Sequence, residues 1–488
     1  MSEPLSSQRI IIASNRLPFE MEAKNGDVEV HGGSGGLVTA LAPVLKDRGG
    51  LWVGWPGTVK ASQEKVLEAV DLASQESGFE YAPVFISEDE VDQYYHGFAN
   101  EIVWPLFHDL QSLCNFVPSY WNAYQRVNAR FAEEISRFRK PGDFIWVHDY
   151  HLMLAGKELR QLGVDSKIGF FLHIPFPPLD IFLKLPWRTE LLNALLRYDL
   201  IGFQTNRDKR NFIQCVRMLR KDVVVKVAGA MHVCSTDFGE VRVGAFPISI
   251  DFKEFSDQAA SEEVEKAAWL LHEQFPNLQL ILSIDRLDYT KGIPYRLEAI
   301  RSFLEAYPEF HKKVCFIQAV IPSREVVPKY QELKNTIDKL VGKINSQFTK
   351  EGWVPIHYAF RSLPRAELLA HYRTCEVGFI TPVKDGMNLV CKEYVASNID
   401  ENGVLLLSEF AGAASQMQNG AVPIHPYDVI GMAKALHQAL TMSPEERKLR
   451  MRRMRRQVSR NDIWRWTESF LSAAVASDLK TFPLSIPD

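Results

Sequence analysis

The chain runs to 488 residues, 46% of them hydrophobic and 24% charged, with a formal net charge of −4. A single hydrophobic core does not grow to that length, so two large domains are expected. A charge this close to balance excludes a general attraction to nucleic acid or to an anionic membrane, and no apolar run reaches the roughly 20 residues that a spanning helix needs. Neither nucleic acid nor membrane is expected as a partner. The six cysteines (Cys114, Cys215, Cys234, Cys315, Cys375 and Cys391) include no Cys-x-x-Cys pair, which argues against a zinc site and against a disulfide framework. The first residues, Met1 to Gln8, lack a basic region followed by an apolar core, so a cytoplasmic location is expected.

Taken in order, the β-branched run Arg9 to Ser14 predicts the first strand of a buried parallel sheet. It delivers Asn15 and Arg16 at its C-terminal end, where open α/β sheets bind ligands. The glycine-rich run Gly32 to Gly36 leads into a helical stretch, Leu37 to Leu45. Glycines there let a diphosphate approach the backbone, although a flexible connector has the same composition. Leu51 to Gly57 and Tyr94 to His108 concentrate aromatic residues that suit stacking on a sugar ring, with core packing the equal alternative for Trp52 and Phe98. Asp143 to His151 predicts a strand ending in His148, Asp149 and His151. Neighbours on a strand point to opposite faces and no further ligand accompanies them, so no metal is expected there. Ile168 to Pro178 is again a buried strand, with His173 exposed where prolines break it, and the pattern repeats through Asp199 to Gln204. The first half therefore reads as a doubly wound α/β domain.

The pattern closes around Phe246 to Asp251, and a linker is expected over residues 247–258, before a charged helical stretch from Ser261. Leu278 to Asp285 begins a new set of strands. The loop Arg286 to Gly292 brings Arg286 and Lys291 to a strand end, ahead of a helix containing Tyr295 to Phe303; the two cations suit a leaving diphosphate, or are solvated surface charges. Further strands are expected at 314–318, 354–358 and 376–380. The last leads into Thr381 to Ala396, a glycine-bearing turn that opens a helix and presents unpaired backbone N–H groups to an anion. Asp385 in that turn suits sugar hydroxyls and Glu393 a ribose, the plainer alternative being an acid-capped helix start. The basic run Arg450 to Arg456 follows Glu445 and Glu446 and reads as a solvated helix face. Ile463 to Leu471 is amphipathic and is expected to pack against a domain.

Several of these stretches together resemble one family. Gly35-Gly36, Gly54-Trp55, Trp104-Pro105, His148 to His151, Phe171 to Pro177, Arg286 to Gly292 and Asp385 to Val390 are similar to the trehalose-6-phosphate synthases, in the same order, from about residue 9 to 470. The resemblance implies an α/β fold of two facing Rossmann-like domains, the GT-B arrangement, with the active site in the interdomain cleft. It divides the chain into an acceptor domain (1–250), a nucleotide-sugar domain (251–460) and a C-terminal helix and tail (461–488). It also implies a retaining transfer of glucose from UDP-glucose to glucose 6-phosphate, giving α,α-trehalose 6-phosphate and UDP.

By the same resemblance Arg16, Trp55, Tyr95, Trp104, Asp149 and Arg324 bind glucose 6-phosphate, the two arginines serving its phosphate. Gly35 and Gly36 form the donor-diphosphate loop, and Arg286 and Lys291 hold the donor phosphates. Leu389, Val390, Cys391, Lys392 and Glu393 form the nucleotide-binding helix start, Leu363 contacts uracil through its backbone, Asp385 holds the donor glucose, and His173 lies near the reacting carbon. Asp385, His173, Arg286 and Lys291 form the expected catalytic set. No Asp-x-Asp occurs in the sequence, so no metal and no cofactor beyond the co-substrate UDP-glucose is expected. A homo-oligomer and a separate trehalose-phosphate phosphatase are the expected protein partners. Two other functions fit the same motifs: a related synthase with another acceptor, such as glycerol 3-phosphate or a cyclitol, and a catalytically silent sugar-phosphate sensor. Retention of Arg286, Lys291, Asp385 and Glu393 together argues against the sensor.

Overall fold

The computed structural model describes residues 8–24, 27–32, 36–324, 327–476 and 479. The chain divides into two compact units, the first built from the chain up to Ile248 together with the segment from Trp464, the second from Ser249–Ile463.

In the first unit the described residues form a nine-stranded sheet. Its order is Glu80–Pro83, Gly50–Trp55, Ile10–Arg16, Phe144–His148, Ile168–Phe171, Leu200–Phe203, Gly239–Ala245, Met231–Thr236 and Val224–Ala228. The first seven run parallel and the last two form an antiparallel edge. The central strands are apolar on both faces, as expected where helices cover both sides, and Ile10 to Ala13 are all buried. A hairpin of Phe19–Lys24 and Asp27–Gly32 stands apart from this sheet. The sequence does not announce the hairpin or the antiparallel edge: the hairpin strands alternate polar and apolar residues, and the edge strands are short runs interrupted by polar ones, unlike the continuous apolar runs of a buried parallel strand.

The helix Ile463–Val475 belongs to this unit through its side chains. Phe470 lies flat on Trp146, with ring centroids 4.4 Å apart, and Trp466 Nε1 donates to the Phe246 carbonyl at 3.0 Å. A Cβ at Gly169 or Gly202 would meet the Phe470 ring at 2.8 or 2.7 Å, so two strand glycines leave the space that this ring fills.

The second unit has a six-stranded parallel sheet in the order Ile356–Phe360, Val314–Ile321, Gln279–Arg286, Val377–Ile380, Val404–Ser408 and Val422–Ile424. The linker expected over 247–258 is shorter than that. A helix, Phe252–Ala259, already begins inside it, because Asp251 caps its N-terminus by accepting from Glu254 N at 2.9 Å.

Candidate active site

Each sheet reverses its strand order near the middle, and many of the expected site residues lie at the strand ends around those two points, whereas Leu363 follows the edge strand Ile356–Phe360. In the second unit the reversal falls between Gln279–Arg286 and Val377–Ile380, which pair with each other while their sequence neighbours extend outward on either side. The C-terminal ends of strands at such a point leave a crevice that ligands occupy. Arg286 ends the first of these strands; it is exposed and has no hydrogen-bonded partner among the described residues. Lys291 follows in a 3₁₀ turn and reaches Asp385, beyond the second strand, at 2.6 Å. Asp385 also accepts from Asn388 Nδ2 at 3.2 Å and Met387 N at 3.4 Å.

Two backbone features bring these loops together. Gly292 has φ of +67°, and a Cβ there would lie 2.2 Å from the Thr381 carbonyl oxygen, so only glycine lets the loops approach. Asn388, at φ 76°, caps the helix Leu389–Ser397 by accepting from Cys391 N at 3.0 Å. Leu389 and Val390 thus open the helix with their N–H groups beside the Lys291–Asp385 pair. Two residues on, buried Lys392 is pushed down by desolvation to about 8. Glu393 accepts from the Tyr372 hydroxyl at 2.8 Å, and burial raises its pKa. Leu363 is half-buried and lines a cavity of about 420 Å³ with His357, Phe275 and Leu270.

Beneath this loop lies a group that the sequence reading missed. Arg296 is fully buried, forms an ion pair with Asp285, and donates to Gln318 Oε1 at 3.1 Å and the Phe379 carbonyl at 3.3 Å. It therefore ties together three adjacent strands. The signal was available: Arg296 falls three residues after Ile293 and four before Ile300, on the apolar stripe of the helix Ile293–Ala306. Arg324 lies past the strand Val314–Ile321, at φ 51°, and donates to the Tyr330 hydroxyl at 2.6 Å. Its guanidinium is 3.5 Å from Asp288. Burial pushes Asp288 up, but the charges of Arg324 and Lys291 outweigh it and hold the carboxyl below its usual range.

In the first unit the reversal falls between Ile10–Arg16 and Phe144–His148. Arg16 ends the first strand with its guanidinium 4.7 Å from the Trp55 ring and 5.7 Å from the Tyr95 ring, themselves 6.0 Å apart. Trp55 ends the neighbouring strand, and its indole N–H is buried with no partner among the described residues. Tyr95 sits on a π-helix, Val91–Val103, that no sequence pattern announced, and stacks on His151 at 5.8 Å. Such helices are rare and concentrate at functional sites. Trp104 begins the helical turn that follows and packs 5.6 Å from Tyr150.

Asp149, just past the second strand, adopts φ 74° and ψ 169°, a region that side chains other than glycine rarely enter. Its carboxylate accepts from His173 N at 3.2 Å, while the His173 ring meets His148 at 3.0 Å. Desolvation takes His173 down to about 3 and His148 well below its ordinary value. Gly35 lies outside the described residues; Gly36 opens the helix Gly36–Arg48. Among the described residues no three His, Cys, Asp or Glu side chains are placed to share a metal ion.

Two parallel α/β sheets, each with cations and hydrogen-bonding groups at its reversal point, define a GT-B glycosyltransferase, and the chain belongs to glycosyltransferase family 20, whose sequence profile matches residues 8–476. Within that family it is similar over nearly its whole length to trehalose-6-phosphate synthases. That of Mycobacterium sp. (strain KMS) is 41% identical over 469 residues, covering 95% of this chain and 94% of the relative. That of Mycobacterium tuberculosis (strain CDC 1551 / Oshkosh) is 40% identical over 478 residues, 97% and 95% of the two chains. Among solved structures, the UDP-forming α,α-trehalose-phosphate synthase of Burkholderia xenovorans in complex with glucose 6-phosphate superposes with a TM-score of 0.86 at 35% identity, covering 96% of this chain and 99% of that one. The E. coli protein bound with UDP-2-fluoro glucose gives 0.84 at 37% identity, with coverage of 96% and 99%.

Proposed function

We propose that this glycosyltransferase joins the glucose of UDP-glucose to glucose 6-phosphate, forming α,α-trehalose 6-phosphate and UDP, with the following division of labour. The observation that carries it is the Lys291–Asp385 pair, set beside the N-terminus of the helix Leu389–Ser397 at a strand reversal. Arg286, Lys291 and the N–H groups of Leu389 and Val390 neutralise the departing diphosphate. Asp385 holds hydroxyls of the donor glucose, Glu393 the ribose, Leu363 the base, and Gly35 and Gly36 approach the diphosphate. In the first unit Arg16, beside Trp55 and Tyr95, takes the acceptor phosphate, and the unpaired Trp55 N–H supplies a donor; Arg324, in the second unit, is a further cation suited to a phosphate. Trp104 and Asp149 complete acceptor binding, and His173 serves the donor sugar.

In the transfer, the acceptor anomeric oxygen bonds to C1 of the donor as the C1–phosphate oxygen bond breaks, on the same face. A phosphate oxygen takes the acceptor proton and UDP leaves, so configuration is retained. These residues supply the positive charge themselves, and turnover is expected to persist in EDTA. The decisive experiment measures UDP release with a panel of phosphorylated acceptors and identifies the product by NMR. Efficient use of glycerol 3-phosphate with no use of glucose 6-phosphate would overturn the acceptor while leaving the donor site standing. Subunit number follows from light scattering, and action within the cytoplasm from fractionation.

A further inference from the structure

We infer that His148 is a positioning residue that fixes the proton of His173 on Nδ1, so that His173 offers the donor sugar or its leaving phosphate an N–H and not a base. This inference rests on the placement of His173 at the donor sugar.

Two consecutive residues grip His173 in different ways. His148 Nδ1 lies 3.0 Å from His173 Nε2, and Asp149 accepts from the His173 backbone N–H at 3.2 Å. Neighbours on a regular strand would face apart. The chain brings both to one target because the strand stops at His148 and Asp149 takes its glycine-like backbone angles. Strain of that kind persists only where surrounding structure enforces it, and it clusters at working sites.

The His148–His173 contact needs one proton between two nitrogens, and the surroundings of His148 choose its owner. His148 is fully buried, and its Nε2 has no hydrogen-bond partner among the described residues. Its neighbours are rings: Trp146 at 4.7 Å and Trp466 at 6.5 Å between centroids. If His173 donated, His148 would carry its own proton on Nε2, a buried N–H with no oxygen or nitrogen to receive it. Orphaned buried N–H groups are the rarer kind of unpaired polar atom. If His148 donates from Nδ1, its Nε2 is a bare lone pair, His173 Nε2 is the acceptor, and the remaining proton of neutral His173 sits on Nδ1. The depressed pKa values of both rings keep the pair neutral at neutral pH, as this arrangement requires. His173, unlike His148, is only half-buried, which leaves its ring an open edge for a ligand.

The test uses the full-length enzyme with ¹⁵N-labelled histidine, the His173 resonance being assigned by its loss in His173→Asn. In the wild type the shifts should report a proton on Nδ1 and a lone pair on Nε2. His148→Phe, a ring of similar size among aromatic neighbours, should abolish that preference and lower kcat about tenfold or more with little change in KM for either substrate. His148→Asn places an amide N–H near the same position and should restore both the Nδ1–H signature and most of kcat. A His173 protonated on Nε2 in the wild type overturns the inference, as does a His148→Phe enzyme with unchanged tautomer and turnover. A fully active His173→Phe enzyme would instead remove His173 from the donor site, and the spectrum of the wild type would still decide where its proton lies.

Discussion

The ammonium of Lys291 lies 2.6 Å from the carboxylate of Asp385, joining loops that follow two different strands. Each side chain is only 14% exposed, so the two charges lie mostly out of water and depend on each other as partners. Lys291→Ala and Asp385→Asn are each expected to lower kcat by more than about 100-fold, the usual scale for deleting a transition-state charge partner. The double variant should lose far less than the product of the two, since each single change already disables the other's partner. Steady-state kinetics on the four proteins decide it; wild-type turnover in either single variant would remove the pair from the chemistry.

The guanidinium of Arg16 lies against both aromatic rings, 4.7 Å from Trp55 and 5.7 Å from Tyr95, and under the proposed function its remaining donors take the acceptor phosphate. Arg16→Ala should raise the apparent KM for glucose 6-phosphate by about 10- to 150-fold, corresponding to a charge-assisted contact of roughly 1.5–3 kcal/mol. Arg16→Lys should recover little of this, because a point charge neither stacks nor forks. Affinity for UDP, measured by calorimetry, should stay within about twofold of the wild type; a large loss there would place Arg16 on the donor instead.

Much of this arrangement was legible in the sequence. Continuous apolar runs mark the parallel strands, and polar residues at or beyond their C-terminal ends (Arg16, Asp149, Arg286, Asp385) stand where open α/β sheets bind ligands. Hidden from it was which strands would lie side by side at a reversal, since that depends on pairings between residues far apart, such as Ile12 with Trp146 or Leu282 with Gly378. The π-helix that presents Tyr95 was equally hidden, because its hydrogen-bond pattern is set by packing and not by propensity. Arg296 is legible as a charge on the apolar stripe of its helix, between Ile293 and Ile300.

The neutral His148–His173 pair makes the protein sensitive to acid. Unfolded histidine takes up its proton near pH 6.5, whereas His173 in the folded chain resists until about 3, and His148 is shifted in the same direction. The unfolded state therefore binds more protons between those limits, so stability is full above about pH 6.5 and declines as the pH falls toward 3. Each group adds at most about 1.4 kcal/mol per pH unit to that slope. Chemical denaturation at pH 7.5, 6 and 5 should show the decline, and His148→Phe should make it shallower; an identical slope in the variant would contradict the assignment.

Gly292→Ala tests how closely the loops carrying Lys291 and Thr381 must approach. A methyl group there meets the Thr381 carbonyl at 2.2 Å and must also adopt a positive φ, so a cost of about 2 kcal/mol or more is expected, with a Tm lower by several degrees. Calorimetry with and without UDP should show the loss in both states together with weaker UDP binding. An unchanged Tm would mean that the loop can move away without cost.

The helix Ile463–Val475 has a consequence for how this protein is made. A ribosome releases the strands carrying Gly169 and Gly202 early and Phe470, the ring that fills the space above them, only after all of Ser249–Ile463 has emerged. The second unit is continuous in sequence and can complete itself during synthesis. The first must wait with Trp146 and Phe171 uncovered on that face, so the part born first is finished last, and a chain cut short before Trp466 leaves those aromatic rings bare.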